Sequence, residues 1–111
     1  MRDYKLHLED ILQSIKKIEK YTRGADLHKF QDDELVVDAV VRNLAIIGEA
    51  AKHIPPQIKK KLPDIEWKKL SGLRNILIHE YFGVDSQILW DIVANKIPAL
   101  KEKIQNYLKE H

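Results

Sequence analysis

The stretch Arg74-Asn75-Ile76-Leu77-Ile78-His79-Glu80-Tyr81 is the densest polar constellation in this 111-residue chain. Arginine carries a permanent fork of donors that matches a phosphate. Histidine gives or takes a proton near neutral pH. Tyrosine sets a hydroxyl at the tip of an apolar body. Together these types can hold an anionic group and move a proton beside it. Taken singly, each has an ordinary use: a helix-end histidine complements the helix dipole, an arginine joins a surface ion pair, and a tyrosine fills the core or its rim. A helix turns about 100° per residue, so Arg74, Ile78 and Tyr81 share one stripe while His79 stands about 140° round from Arg74. One straight helix does not bring Arg74 and His79 to one face. Either the helix distorts near His79, or a second copy completes the site across a two-fold axis.

The elements that must position these residues are helical. Tyr4, Leu8, Ile11, Leu12, Ile15, Ile18 and Tyr21 recur at steps of three and four, and Gly24 suits a left-handed stop after them. A second helix is expected from about Gln31-Asp32-Asp33 to His53, apolar on more than one face, as a central or dimer-forming helix would be. Within it Arg42 and Asn43 interrupt the apolar run. Glu49, seven residues after Arg42, lies on the same stripe and can pair with it, or Arg42 and Asn43 can line a cleft. Pro55-Pro56 closes this helix and a short turn follows through Lys61. Asp64 is expected to cap a helix from about Ile65 to His79 or Tyr81, which Gly83 ends. Asp85 or Ser86 caps a last helix reaching Leu108, kinked at Pro98. The four glycines and four prolines are expected between the periodic segments. The expected fold is all-α, an up-down bundle of four to five helices in a single domain over residues 1–111.

Composition removes several classes of function. Apolar residues at 44% and charged residues at 32% describe a folded chain, not a disordered one. No run of about 18 uncharged apolar residues is present, so no membrane span is expected. The N-terminus does not read as a signal peptide, and a cytoplasmic location is expected. The absence of cysteine removes disulfides, thiol catalysis and cysteine-based zinc sites. His79-Glu80-Tyr81-Phe82-Gly83 is not His-Glu-x-x-His, and no metal or cofactor is expected. His7, His28, His53 and His111 are expected to be scattered and solvated. Residues 59–74 hold six basic side chains (Lys59, Lys60, Lys61, Lys68, Lys69, Arg74) against Asp64 and Glu66. They form a solvated helix face, a phosphate-contacting surface or a face for an acidic partner.

The string Arg74-x4-His79-x-Tyr81 resembles the signature of the HEPN superfamily, α-helical domains often found as metal-independent ribonucleases. Asp38-Ala39-Val40-Val41-Arg42-Asn43-Leu44-Ala45-Ile46-Ile47-Gly48-Glu49-Ala50-Ala51-Lys52 is similar to the second-helix signature of the HepT branch. Trp67, Gly72-Leu73-Arg74-Asn75, His79 to Asp85 and Trp90 continue the likeness in order, over about residues 3 to 108. The resemblance implies a toxin of a toxin–antitoxin pair, homodimeric, with two motifs in one cleft. It implies an MNT-type nucleotidyltransferase antitoxin as partner, able to transfer AMP to the motif tyrosine, here Tyr81.

With an RNA substrate (messenger or transfer RNA), the 2′-hydroxyl beside each phosphate is the nucleophile. His79 is then the candidate for proton transfer and Arg74 for stabilising the phosphorane-like transition state. The products are a 2′,3′-cyclic phosphate and a free 5′-hydroxyl. Asn75 and Tyr81 are candidates for orienting the substrate, and Arg42 and Asn43 for lining the cleft. Two other classes compete: a non-catalytic helical subunit that binds a nucleotide or its nucleotidyltransferase, and a plain dimerisation bundle.

Overall fold

A computed structural model describes residues 3–80 and 85–111, and the side chains of all of these except residues 78–80. Helix α1 spans Tyr4–Thr22, α2 Leu27–Asp32, α3 Glu34–Lys52, α4 Pro56–Lys61 and α5 Trp67–Glu80. Helix α6, Ser86–Asp91, runs through a π-helical turn at Ile92–Lys96 into α7, Ile97–Glu110. No strand occurs among the described residues, and the architecture is the expected all-α bundle.

Aspartates start four of these helices. Asp3, Asp26, Asp33 and Asp85 each accept a backbone N–H one turn in, from Lys5, Lys29, Val36 and Gln87 respectively. A carboxylate there satisfies a donor that has no partner inside the helix. The Lys29 N–H bond also holds the Asp26 carboxyl below its ordinary pKa. Gly24, with φ of +75°, makes the left-handed turn after α1.

The apolar stripes then close on one another. Leu8, Ile11, Ile15 and Ile18 of α1 are fully buried, as are Val40, Leu44, Ile47 and Ala51 of α3. Helix α3 is central: α1 and α5 both pack along it, and α7 lies against α1. At that last contact the Tyr4 and Tyr107 hydroxyls meet at 3.3 Å, a bond that raises the Tyr107 pKa to about 12.

Four details differ from the sequence expectation. Gln31 and Asp32 belong to the short helix α2, which the periodicity did not reveal because six residues are too few to show a period. Its anchor is Phe30, fully buried and tilted against Trp90 at 5.3 Å between ring centroids. Helix α5 begins at Trp67 and not at Ile65, because Glu66, not Asp64, supplies the first helical carbonyl, to Leu70 N–H. Asp64 instead gives its own carbonyl to Lys103 Nζ at 2.9 Å. The Pro98 distortion takes the form of the π turn: Ile97 N–H bonds to Ile92 O, five residues back, one step before the residue that has no N–H.

The fourth correction concerns glycine. Gly48 and Gly72 lie inside α3 and α5, not between periodic segments. A Cβ built on Gly48 would stand 2.7 Å from the Leu70 carbonyl oxygen and 3.1 Å from Arg74 Cβ and N. A Cβ on Gly72 would meet nothing within 4 Å. Alanine substitution should therefore act with opposite signs. Gly48→Ala forces two helix backbones apart and should destabilise by about 1–3 kcal/mol. Gly72→Ala should stabilise by about 0.5–1 kcal/mol through helix propensity alone. Urea unfolding of the two variants beside the wild type measures both.

Candidate functional site

Helices α3 and α5 meet with almost no side chain between them at Gly48. The next residue on α3 is Glu49, and the residue facing Gly48 on α5 is Arg74. Their charged ends meet: Arg74 Nε lies 2.8 Å from Glu49 Oε2. The other carboxylate oxygen, Oε1, lies 3.5 Å from His53 Nε2 one turn further along. Oε2 is closed off from solvent yet has no hydrogen-bond donor aligned on it. The Arg74 contact is therefore an ion pair by distance, made through charge and not through a directed N–H.

Beside this pair an open cleft of about 600 Å3 runs between the two helices. Asp38, Val41, Arg42, Ala45, Ile46 and Glu49 line it from α3, and Arg74 and Leu77 from α5. Two guanidinium-bearing residues thus share a cleft whose walls are otherwise mostly apolar. Arginine in such a setting can grip phosphate oxygens bidentately.

The remaining candidates are placed as follows. Asn75 is exposed on α5, one residue from Arg74. His79 lies on the last turn of α5, five residues on from Arg74; its side chain is outside the described residues, as is all of Tyr81. Asn43 is buried, gives its Nδ2 to Ala39 O at 2.8 Å and is not among the residues that line the cleft. Arg42 lines the cleft, and Glu49, its possible partner from the sequence, has its ion pair with Arg74 and a contact with His53. The structure thus brings Arg42 and Arg74 together.

A family profile described as "Ribonuclease HepT-like" matches residues 11–107. The chain belongs to the HepT-like ribonuclease family. It is 44% identical over 108 residues to a "Probable ribonuclease HepT" of Thermococcus cleftensis, covering 97% of this chain and 98% of that one. It is 41% identical over 104 residues to a "Putative RNase" of Methanocaldococcus jannaschii, covering 94% and 95% of the two chains. It is 36% identical over 110 residues to a "Putative RNase" of Caldanaerobacter subterraneus subsp. tengcongensis, covering 99% and 98%. No solved structure matches significantly. Among the described residues, no helix is long and apolar enough to cross a membrane.

Three features of this HepT-like site were not foreseen from the sequence. Gly48 stands in the second-helix signature and carries no role in the sequence reading, although a glycine inside a long helix is itself a signal of close backbone approach. Helical spacing offers Arg42 as one possible partner of Glu49, and spacing cannot show a partner on another helix, here Arg74. The histidines are less scattered than expected: the rings of His7 and His53 stack at 5.0 Å, and that of His111 stacks on Tyr107 at 4.3 Å.

The Arg74 and Glu49 side chains are 37% and 46% exposed. A pair this open contributes only about 0–1 kcal/mol to stability. Once the guanidinium is gone, water reaches the oxygen it covered. Arg74→Ala should therefore lower the unfolding free energy by less than about 1 kcal/mol in a urea titration. Any loss of activity in this variant then reflects chemistry and not unfolding.

Proposed function

We propose that this chain is a metal-independent endoribonuclease and the toxin of a toxin–antitoxin pair. The observation that carries the reading is the cleft shared by Arg42 and Arg74, on the helix whose last turn bears His79. The 2′-hydroxyl of the substrate attacks the neighbouring phosphorus, and the bond from phosphorus to the 5′-oxygen breaks. A proton leaves the 2′-oxygen and another reaches the 5′-oxygen, and His79 is the group that moves them. Arg74 holds the phosphate oxygens as their charge grows. Arg42 adds a second contact along the RNA backbone, and Asn75 and Tyr81 orient the substrate. Asn43, buried behind the cleft with its Oδ1 unbonded, acts through the position of α3.

The working form is a homodimer. The α3 face toward the cleft carries exposed Leu35 and Ile46 beside Val41 and Ala45. A second copy covers this apolar wall and answers the angular separation of Arg74 and His79 on one helix. The antitoxin is an MNT-type nucleotidyltransferase that transfers AMP to Tyr81, adding bulk and negative charge where the RNA phosphate would lie.

Two measurements test the reading. Purified wild-type protein should cleave RNA in EDTA and leave 2′,3′-cyclic phosphate ends, while Arg74→Ala and His79→Ala should lose at least about 100-fold in rate. Absence of cleavage by wild-type protein that mass spectrometry shows to be free of AMP would overturn it in favour of a non-catalytic binding subunit. Ile46→Glu should convert the dimer to a folded monomer in sedimentation, with cleavage lost; an unchanged dimer would remove this face from the interface.

A further inference from the structure

We infer that Glu49 is the positioning residue of this site: it fixes the Arg74 guanidinium so that its outer edge faces the cleft before any substrate arrives. The inference rests on the ribonuclease reading above and deepens it. Three observations carry it. The contact is made through Nε, at 2.8 Å from Glu49 Oε2. Because no N–H is directed at Oε2, the pair is held by charge, and the guanidinium donors that match two phosphate oxygens are not spent on it and stay for a second anion. Both residues are mounted at the tightest contact between α3 and α5, Glu49 next to Gly48 and Arg74 with its Cβ 3.1 Å from where a Gly48 Cβ would stand. The carboxylate is also shared: Oε1 faces His53 at 3.5 Å, and the His53 ring stacks on His7 of α1. Glu49 thus has a second neighbour at the oxygen that Arg74 does not contact.

Stability does not account for the arrangement. Both side chains are more than a third exposed, and pairs of that kind contribute little to folding. Nor does affinity for an anionic substrate, since a carboxylate in a phosphate cleft repels it. Positioning accounts for both. A free arginine has many rotamers, and losing them at the moment of reaction raises the barrier; a guanidinium already held in place has lost them on folding. The cost is a negative charge in a cleft that Asp38 also lines, so that Arg42 and Arg74 stand against two carboxylates there.

This arrangement predicts a split that structural damage would not give. In Glu49→Gln the repulsive charge is gone and the tether with it. For RNA cleavage by the full-length protein, kcat should fall by about ten- to a hundredfold. KM should stay unchanged or fall. In an Arg74→Ala background the same substitution should have no further effect on kcat, because there is no guanidinium left to place. A general loss of structure would lower kcat, raise KM and lower the unfolding midpoint together, and would overturn the inference. So would additive losses in the double variant.

A second readout does not depend on activity. The Nε–H order parameter of Arg74, from 15N relaxation of the wild-type protein, should approach that of ordered backbone, about 0.85, and fall below about 0.6 in Glu49→Gln. Arg74→Lys identifies the signal among the four arginines of the chain. A mobile Arg74 in the wild type, or one equally ordered in both proteins, would overturn the inference. If the wild type cleaves no RNA, the ribonuclease reading fails while this measurement still decides whether Glu49 holds Arg74.

Discussion

The place where α3 and α5 touch without an intervening side chain is the constraint on which the rest depends. Gly48 lets the α3 backbone come so near Leu70 and Arg74 that a single methyl group would collide with a main-chain oxygen. That proximity sets three things together. It closes the core between the two helices. It brings Glu49 within ion-pair distance of Arg74. It also fixes the width of the groove beside them, where Arg42 and Arg74 face a common space. Close-packed helices resist small adjustments, because every displacement must be shared by neighbouring side chains. The catalytic arginine of the proposed reaction therefore stands on a rigid base.

The cleft sets two arginines, Arg42 and Arg74, against two carboxylates, Asp38 and Glu49, within a largely apolar wall. Burying a charge is costly unless it is paired. The structure avoids much of that cost by leaving Arg74, Glu49 and His53 partly open to water at the rim. The buried polar atoms left without a hydrogen bond among the described residues, Asn43 Oδ1 and Glu49 Oε2, both belong to α3. Behind them, the π turn before Pro98 lets α6 and α7 run on as one bent arm that closes the bundle.

Much of the fold was legible in the sequence because it follows from local rules. The apolar spacing of α1, the aspartate caps at Asp33 and Asp85, the left-handed Gly24 and the distortion before Pro98 are each decided within a turn or two of chain. The short helix α2 was not legible. It is held by Phe30 packing on Trp90, sixty residues away, and no local pattern carries that contact. The start of α5 was misplaced for a related reason: Ile65 is buried by the turn that precedes the helix, and an apolar residue in a buried turn looks like the first position of an apolar helix.

The sequence by itself determined the residue types available for chemistry, the helical class and the stripe on which each candidate lies. It determined these because side-chain type and helical period are properties of a few consecutive residues. Only the tertiary structure decided which stripes meet. It turned Arg42 and Arg74 toward one cleft, gave Glu49 to Arg74 and His53, sank Asn43 into the core and set His7 against His53. The physical reason is that partner choice depends on how closely two helices approach and at what rotation. That approach is governed by the smallest residue at the crossing point, and its effect can be read only once both helices are in place.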